Sequence, residues 1–524
     1  MKNRKLKLAL LTVLPAILFW LAWPPRDLFF LSFVAFVPLF MLEKETESLK
    51  YGAWLMYLSL LLWNAAISWW VWNAEATSSL VMMTANAALM YLPWLGYRKA
   101  KKTLSQSRAF LVFISLWLAY EYLHLNWQIT WPWFTLGNIF AKHNEVVQWY
   151  EITGVMGGSL WVLMANTLLF STIEKAKKWT KWIKPAFVVI VPMLISIPFW
   201  IGQIRTLEPK GEETLLVQPN VDPYLKFDES TKVSNLKKML AMTEKKITPN
   251  TMYVIMPETA VVEYVDEDHP FRYESMQVLR KFVKKHPQIH VVTGISTYNF
   301  YDKGEAMAES ARKMESGHYY ESYNTALEMN GKGEIEVYHK SKLVPGAEKM
   351  PYPFLFSFLE YFALDFGGIT GSLGTDPYPT VFEAGDKPDL APLICYESVF
   401  PGHVAEFTRK GAEILLVITN DGWWKDTDGY KQHMYYGCLR AIENRREVLR
   451  SANTGITCRI DKTGTIQERT KWWEPTVLKV NANHYTELTF YSQYGDYIGR
   501  LASFIGVFFV LGMFVKGRSK IGST

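Results

Sequence analysis

Three short phrases in this chain place a reactive side chain at the end of an apolar run. Val254-Ile-Met-Pro-Glu-Thr-Ala260 offers the carboxylate of Glu258, Val337-Tyr-His-Lys-Ser-Lys-Leu-Val-Pro345 offers Lys340 or Lys342, and Ala391-Pro-Leu-Ile-Cys-Tyr-Glu-Ser398 offers the thiol of Cys395. A thiol with an ordinary pKa of ~8.5 is mostly protonated at neutral pH, so as a nucleophile it needs a base or a cation beside it. A carboxylate can take its proton and later return it, and a lysine can meet an oxyanion. Each phrase alone is weak. An isolated cysteine after an apolar strand is more often a packed core thiol, and an isolated Glu or Lys in a loop is usually solvated.

The segment that must position these groups runs from about residue 213 to 488. Short β-rich runs recur at Thr214–Gln218, Tyr253–Met256, His290–Thr293, Ala326–Met329, Ile414–Thr419 and Ile456–Ile460. Helical patterns lie between them at Ser230–Lys246, Tyr273–Lys285 and Gln432–Ser451. Such alternation predicts a layered α/β domain.

The rest of the chain has another character. Mean hydropathy over the 524 residues is close to zero, but the apolar residues are concentrated in the first two hundred positions and the last thirty. Seven apolar stretches come first: Leu6–Trp23, Leu28–Leu42, Ala53–Trp72, Leu80–Tyr97, Ala109–Leu125, Gly157–Ile173 and Ala186–Gly202. An eighth, Ile498–Val515, closes the chain. No soluble core needs so many apolar helices, so the spacing predicts eight transmembrane helices. Residues 1–205 then form a polytopic α-helical membrane domain, and residues 489–524 a last span with its tail. The amino-terminal run ends in Trp20-Leu-Ala-Trp-Pro-Pro without a small-x-small cleavage site and reads as a retained first span.

Charge gives the orientation. Lys2, Arg4, Lys5 and Lys7 precede the first span, and Arg98, Lys99, Lys101 and Lys102 follow the fourth. Lys175, Lys177, Lys178, Lys181 and Lys184 separate the sixth and seventh, and Lys516, Arg518 and Lys520 follow the eighth. Eight crossings from an inside start put all four clusters on the cytoplasmic side and the α/β domain outside. The formal charge of +6 is therefore a topology signal; the soluble part has no basic stripe interleaved with aromatics, and no nucleic acid is expected.

Taken together, in the order Glu, Lys, Cys on one α/β framework, the three phrases resemble the nitrilase, or carbon-nitrogen hydrolase, superfamily. Thr293-Gly-Ile-Ser, Tyr323-Asn-Thr-Ala-Leu, Thr419-Asn-Asp-Gly-Trp-Trp424 and Arg450-Ser-Ala-Asn-Thr-Gly455 extend the likeness over nearly all of 213–485. It implies a nitrilase-like αββα sandwich, a Glu258–Lys340–Cys395 triad, and Glu348 holding the lysine, although the loop reads Leu343-Val-Pro-Gly-Ala-Glu348 where the family usually has Leu-Val-Pro-Phe-Gly-Glu. The family motif aligns with Lys340; Lys342 is its rival. Between membrane spans, and with Thr130-Trp-Pro-Trp-Phe-Thr-Leu-Gly137, Gln218-Pro-Asn-Val-Asp-Pro-Tyr-Leu-Lys-Phe227 and Tyr491-Ser-Gln-Tyr-Gly-Asp-Tyr497, the whole chain resembles the apolipoprotein N-acyltransferase family.

That resemblance implies a ping-pong reaction without a cofactor. A phospholipid, in the family phosphatidylethanolamine, acylates Cys395 as a thioester. The α-amine of the S-diacylglyceryl cysteine of an apolipoprotein then takes the acyl chain, which completes lipoprotein maturation. The partners are the phospholipid donor, the apolipoprotein acceptor and the bilayer of the bacterial inner membrane, with the catalytic domain on the periplasmic side of a monomer. Tyr396 and Glu397 are carried over as substrate-binding or positioning residues, Asn420 as a positioning residue, and Phe227 as an aromatic lid where the family usually has tryptophan. Pro351–Phe362 is either an interfacial arm or a helix packed on its own domain. A membrane-tethered amidase using water, and a non-catalytic nitrilase-like binding protein, are the alternatives.

Other readings fall away. Three cysteines, Cys395, Cys438 and Cys458, make no disulfide framework, and the last two read as packing residues. Asp421–Gly429 fails as a calcium loop because Trp423 and Lys425 stand at ligand positions, and ten scattered histidines without a ligand spacing predict no metal. Glu121 falls inside the fifth span, with His124 one turn on. Pairing between them and contact with a substrate headgroup are both open.

Overall fold

The computed structural model describes residues 2–521 apart from 176–177, 207–210, 225, 227–231, 303, 306, 353–371 and 386. Two compact units divide it: residues 1–202 with 494–524, and residues 203–493.

The first unit is helical: α1 (Lys2–Ala22), α2 (Val37–Thr46), α3 (Gly52–Ser68), α4 (Ala76–Lys101), α5 (Gln106–Asn126), α6 (Tyr150–Lys175), α7 (Ile183–Arg205, whose last residues lie past the unit boundary) and a C-terminal helix Tyr497–Ile521. Among the described residues, five helices are long and apolar enough to cross a membrane: Asn3–Ala22, Gly52–Asn73, Gln106–Asn126, Tyr150–Lys175 and Trp179–Arg205. The second apolar stretch differs from its reading as one continuous span. It breaks into a 3-10 turn, Phe29–Phe33, and the ten-residue α2. Ten residues rise about 15 Å, half of the ~30 Å hydrocarbon layer. The break is held by Asn166 of α6, which accepts from Phe36 N and donates to Ser32 O, both at 2.8 Å.

Buried aromatics fill this unit. Phe19 stacks on Trp63 at 3.8 Å, and Trp63 lies parallel to Trp117 at 5.8 Å. Asn64, Asn86 and Tyr120 link α3, α4 and α5 through bonds of 2.7 and 2.6 Å, satisfying polar groups that lipid could not. Glu121 does not take its hydrogen bonds from His124. Its carboxylate accepts from Trp117 Nε1 at 3.0 Å and Leu136 N at 3.1 Å, pinning the start of the 3-10 helix Leu136–Lys142.

The second unit contains two sheets. The larger has strand order β13-β1-β2-β4-β6-β5, with β3 paired to β4 and β7 to β6; the smaller has order β12-β11-β10-β9-β8. These strands are β1 (Glu212–Gln218), β2 (Thr251–Ile255), β3 (Val261–Asp266), β4 (His290–Phe300), β5 (Arg312–Lys313), β6 (Tyr319–Met329), β7 (Ile335–His339), β8 (Leu390–Ile394), β9 (Ile414–Thr419), β10 (Glu447–Ala452), β11 (Cys458–Ile460), β12 (Ile466–Arg469) and β13 (Thr476–Ala482).

Alternation along the strands sorts the layers. Leu216, Tyr253 and Ile255 join Leu393, Leu415 and Val417 of the other sheet in one core cluster that also takes in Val404, Phe407 and Met434 from the helices Pro401–Arg409 and Asp428–Asn444. Their neighbours Leu215, Val217 and Val254 pack on the other face against Leu236 and Met239 of α8 (Lys232–Glu244) and Leu279 and Phe282 of α9 (Glu274–Lys285). The helical pattern predicted over Gln432–Ser451 needs correction. The helix stops at Asn444, where Arg445 adopts a left-handed φ of 48°, and Glu447–Ala452 becomes the buried strand β10. Apolar periodicity could not separate a buried helix from a buried strand there.

Candidate active site

The parallel strands β1, β2 and β4 of one sheet and β8, β9 and β10 of the other end where the reactive phrases begin. Chain leaving the carboxyl ends of such strands cannot continue the ladder, so its side chains are free to converge.

Glu258 follows β2 and is buried, 7% exposed. Both its oxygens are committed. Oε1 accepts from Asn324 Nδ2 at 2.9 Å and Lys340 Nζ at 3.3 Å, and Oε2 accepts from Asn420 N at 3.1 Å. Its turn lies against β4 at Gly294, where a Cβ would stand 2.4 Å from Thr259 N and 2.6 Å from the Glu258 Cα. Only glycine permits that approach.

Lys340 continues from β7, its N–H donating to Asn324 O at 2.9 Å as one more ladder bond. The side chain is 1% exposed and donates to Glu348 Oε1 at 2.9 Å. Asn324 Nδ2 reaches the same oxygen at 3.0 Å, and Val344 N fixes the other at 2.8 Å. Burial opposes the ammonium, but the charges of Glu348 and Glu258 outweigh it and hold Lys340 above the ordinary lysine range. Lys342 points elsewhere, its Nζ 5.7 Å from the centroid of the Phe400 ring.

Cys395 begins the 3-10 turn Cys395–Val399 directly after β8 and has a φ of 51°. Positive φ at a non-glycine residue is strained and persists only where neighbours enforce it. Here Ser398 Oγ donates to the Cys395 carbonyl at 2.8 Å, and His433 Nε2 lies 3.1 Å from the same oxygen. The residue is partly exposed. Burial of the sulfur and the charge of Glu258 push the thiol up, while Lys340 pulls it down. The resting sulfur is thus a thiol, and it needs the carboxylate at the moment of attack.

Glu397 is fully buried and joins the two loops that carry sulfur and lysine. Oε1 accepts from Tyr338 OH at 2.6 Å, Ser341 N at 2.7 Å and Lys342 N at 3.2 Å, with His403 Nε2 also at 3.2 Å; Oε2 accepts from Ile394 N at 2.8 Å. Burial would raise this carboxyl, but His403, Tyr338 and the Ile394 N–H hold it below the usual carboxylate value. Tyr396 is buried, its ring edge-on to Phe400 at 5.0 Å. The side chain of Asn420 accepts from Asn453 at 3.1 Å and Thr454 at 3.3 Å, so its link to Glu258 runs through the backbone. Phe227 and residues 353–362 of the aromatic arm lie outside the described residues.

Three groups escaped the sequence reading. Asn324 bridges Glu258 and Glu348, and only the phrase Tyr323-Asn-Thr-Ala-Leu pointed toward it. Asp421, His433 and Arg450 form a buried charged network beneath Cys395. His433 Nδ1 is 3.0 Å from Asp421 Oδ1, Arg450 pairs with Asp421 Oδ2, and His433 Nε2 is 2.9 Å from Ser398 Oγ. Asp421, His433 and Ser398 are at most 1% exposed, so this Ser-His-Asp set supports the nucleophile's backbone and meets no substrate. Lys226, finally, is a buried lysine whose Nζ donates to Glu258 O at 2.8 Å and Thr259 Oγ1 at 2.5 Å.

Residues 216–488 match the family described as Carbon-nitrogen hydrolase. The chain belongs to this family. Residues 15–168 also match the Apolipoprotein N-acyltransferase N-terminal domain. A curated relative from Chlorobaculum tepidum, named apolipoprotein N-acyltransferase, is 29% identical over 95% of this chain and 94% of its own. A relative of the same name from Geobacter metallireducens is 26% identical over 93% and 91%. Among solved structures, Saccharomyces cerevisiae Nit3, a member of branch 10 of the nitrilase superfamily, is 17% identical with a TM-score of 0.39 over 52% of this chain and 90% of that one.

Proposed function

We propose that this membrane protein is an apolipoprotein N-acyltransferase that carries an acyl chain on Cys395 between two lipid substrates. The observation that carries the reading is the buried cluster Glu258–Lys340–Glu348 beside a strained, partly exposed Cys395, in a chain whose relatives of nearly equal length bear that name.

The chemistry follows from the residues. Glu258 takes the thiol proton as sulfur attacks the ester carbonyl of a phospholipid. Lys340, positively charged and fixed between two carboxylates, faces the oxyanion of the tetrahedral intermediate. The ester C–O bond breaks, Glu258 gives its proton to the departing lysophospholipid oxygen, and a thioester remains. The α-amine of a diacylglyceryl cysteine then attacks that carbonyl. The C–S bond breaks as the C–N bond forms, and one amine proton returns through Glu258 to sulfur. Glu348, Asn324, Glu397 and Asn420 position the triad, Tyr396 borders it, and Phe227 serves as lid.

Membrane embedding suits both substrates, which their own chains confine to the bilayer. The basic clusters support eight crossings with the catalytic unit on the periplasmic side of the inner membrane, α2 being completed by the turn before it.

Mass spectrometry of the full-length protein with phosphatidylethanolamine vesicles tests this reading. Wild type should gain one long-chain acyl group, labile to neutral hydroxylamine, and Cys395→Ser should gain no thioester. An amidase-like hydrolase using water would instead form no long-chain acyl thioester from the phospholipid.

A further inference from the structure

Lys226 is a buried lysine that the triad does not use. It is 3% exposed, and its ammonium meets one carbonyl and one hydroxyl, Glu258 O at 2.8 Å and Thr259 Oγ1 at 2.5 Å. Placing a lysine in such a site opposes its charge, so a purely structural role would be better filled by an apolar residue. Burial lowers this lysine to about 7, against the pull of the Glu258 carboxylate, which favours the ammonium. The partner turn itself needs holding. Thr259 is β-branched and sits at φ 46°, where such residues are strained. Gly294 of β4 leaves room on one side of that turn, and Lys226 bonds both of its residues.

We propose that Lys226 is a positioning residue for acyl transfer, fixing the Glu258–Thr259 turn through its bonds to Glu258 O and Thr259 Oγ1. Glu258 must accept a proton from sulfur and surrender it to the leaving oxygen within one turnover. Displacing it by about 1 Å costs on the order of 10²-fold in rate. The chain before Lys226 leaves β1, so this contact also ties the segment following β1 to the catalytic acid of β2.

The inference rests on the acyltransferase reading. Its test is the initial rate of hydroxylamine-labile acylation of Cys395 in the full-length protein with phosphatidylethanolamine vesicles. Lys226→Met should lower the maximal rate about 10- to 100-fold while half-saturating lipid changes less than about twofold. Lys226→Arg, which keeps charge and donors, should recover most of the loss. A wild-type rate in Lys226→Met overturns the proposal, as does an equal loss in Lys226→Arg with an unchanged melting temperature. If Lys226→Met does not fold, Thr259→Val, which removes one partner of the ammonium, takes its place, and an unchanged rate there counts against the role. Should wild type form no acyl adduct, the acyltransferase reading fails instead. Iodoacetamide alkylation of Cys395, which needs the carboxylate but no lipid, then decides on Lys226: slower in Lys226→Met upholds it, equal refutes it.

Discussion

Lys340 Nζ lies 2.9 Å from Glu348 Oε1, closer than the 3.3 Å that separates it from Glu258 Oε1. In the proposed mechanism the lysine is thus anchored by the carboxylate that does not take part in proton transfer, and need not move when Glu258 does. Removing Lys340 would leave two carboxylates sharing Asn324 with no charge between them.

Lys340→Met should therefore cost about 3–5 kcal/mol of stability, the usual consequence of breaking a buried pair from one side, and abolish acylation. Glu348→Gln keeps the shape and loses the charge. Its melting temperature should fall less, with acylation about 10- to 100-fold slower. Thermal unfolding in detergent and the acyl-adduct rate measure both. An equally stable Lys340→Met protein would contradict the assignment of a paired buried cation.

Glu397 accepts the backbone N–H of Ile394, Ser341 and Lys342 and the hydroxyl of Tyr338. Glu397→Ala strands these buried donors, at about 1–3 kcal/mol for each one left without water or another partner. Both the Cys395 and Lys340 loops should loosen together. Hydrogen exchange at Ile394, Ser341 and Lys342 should rise in concert, and protection lost at only one loop would show that Glu397 does not couple them.

His339 precedes Lys340 and is held between two acids, Nδ1 2.9 Å from Asp376 Oδ1 and Nε2 2.7 Å from Glu267 Oε1. Burial opposes its charge, but these bonds and charges outweigh it and raise the imidazole from its ordinary 6.5 to about 9. A raised folded pKa means that the folded state binds the extra proton. The stabilisation, about 3 kcal/mol, is fully present below ~6.5 and lost as pH rises through ~9. His339→Gln should remove that alkaline slope from a plot of melting temperature against pH. The same slope in the variant would assign it to another group.

Orientation can be read by labelling. Lys178→Cys, between the sixth and seventh apolar stretches, should react with a membrane-impermeant maleimide only in inverted vesicles. Tyr264→Cys, at an exposed position of β3, should react in intact spheroplasts. Labelling in the reverse pattern would place the catalytic unit in the cytoplasm.

Much of the site could be read because strands end where chemistry begins. Glu258, Lys340 and Cys395 each follow an apolar run within a few residues, so their phrases are local and survive without a third dimension. Asn324 sits mid-strand in β6 and resembles any alternating polar residue until β7 pairs beside it. Lys226 has partners 32 and 33 residues away, and only the phrase Gln218–Phe227 that contains it pointed toward it. The second apolar stretch read as one helix because hydropathy counts residues and cannot see Asn166, 130 positions on from Phe36, satisfying a broken backbone.

What the order of residues determined by itself was composition along the chain: which segments avoid water, where the basic clusters lie, and which short phrases carry a nucleophile, an acid and a cation. Those follow from side-chain type and near neighbours. Tertiary structure alone decided that Lys340 rather than Lys342 meets both carboxylates, that Glu397 ties two loops instead of facing solvent, and that His433 and Asp421 support Cys395 from beneath. The reason is the same for each. A buried polar group is defined by the partners that replace water, and here those partners come from strands and helices far apart in sequence.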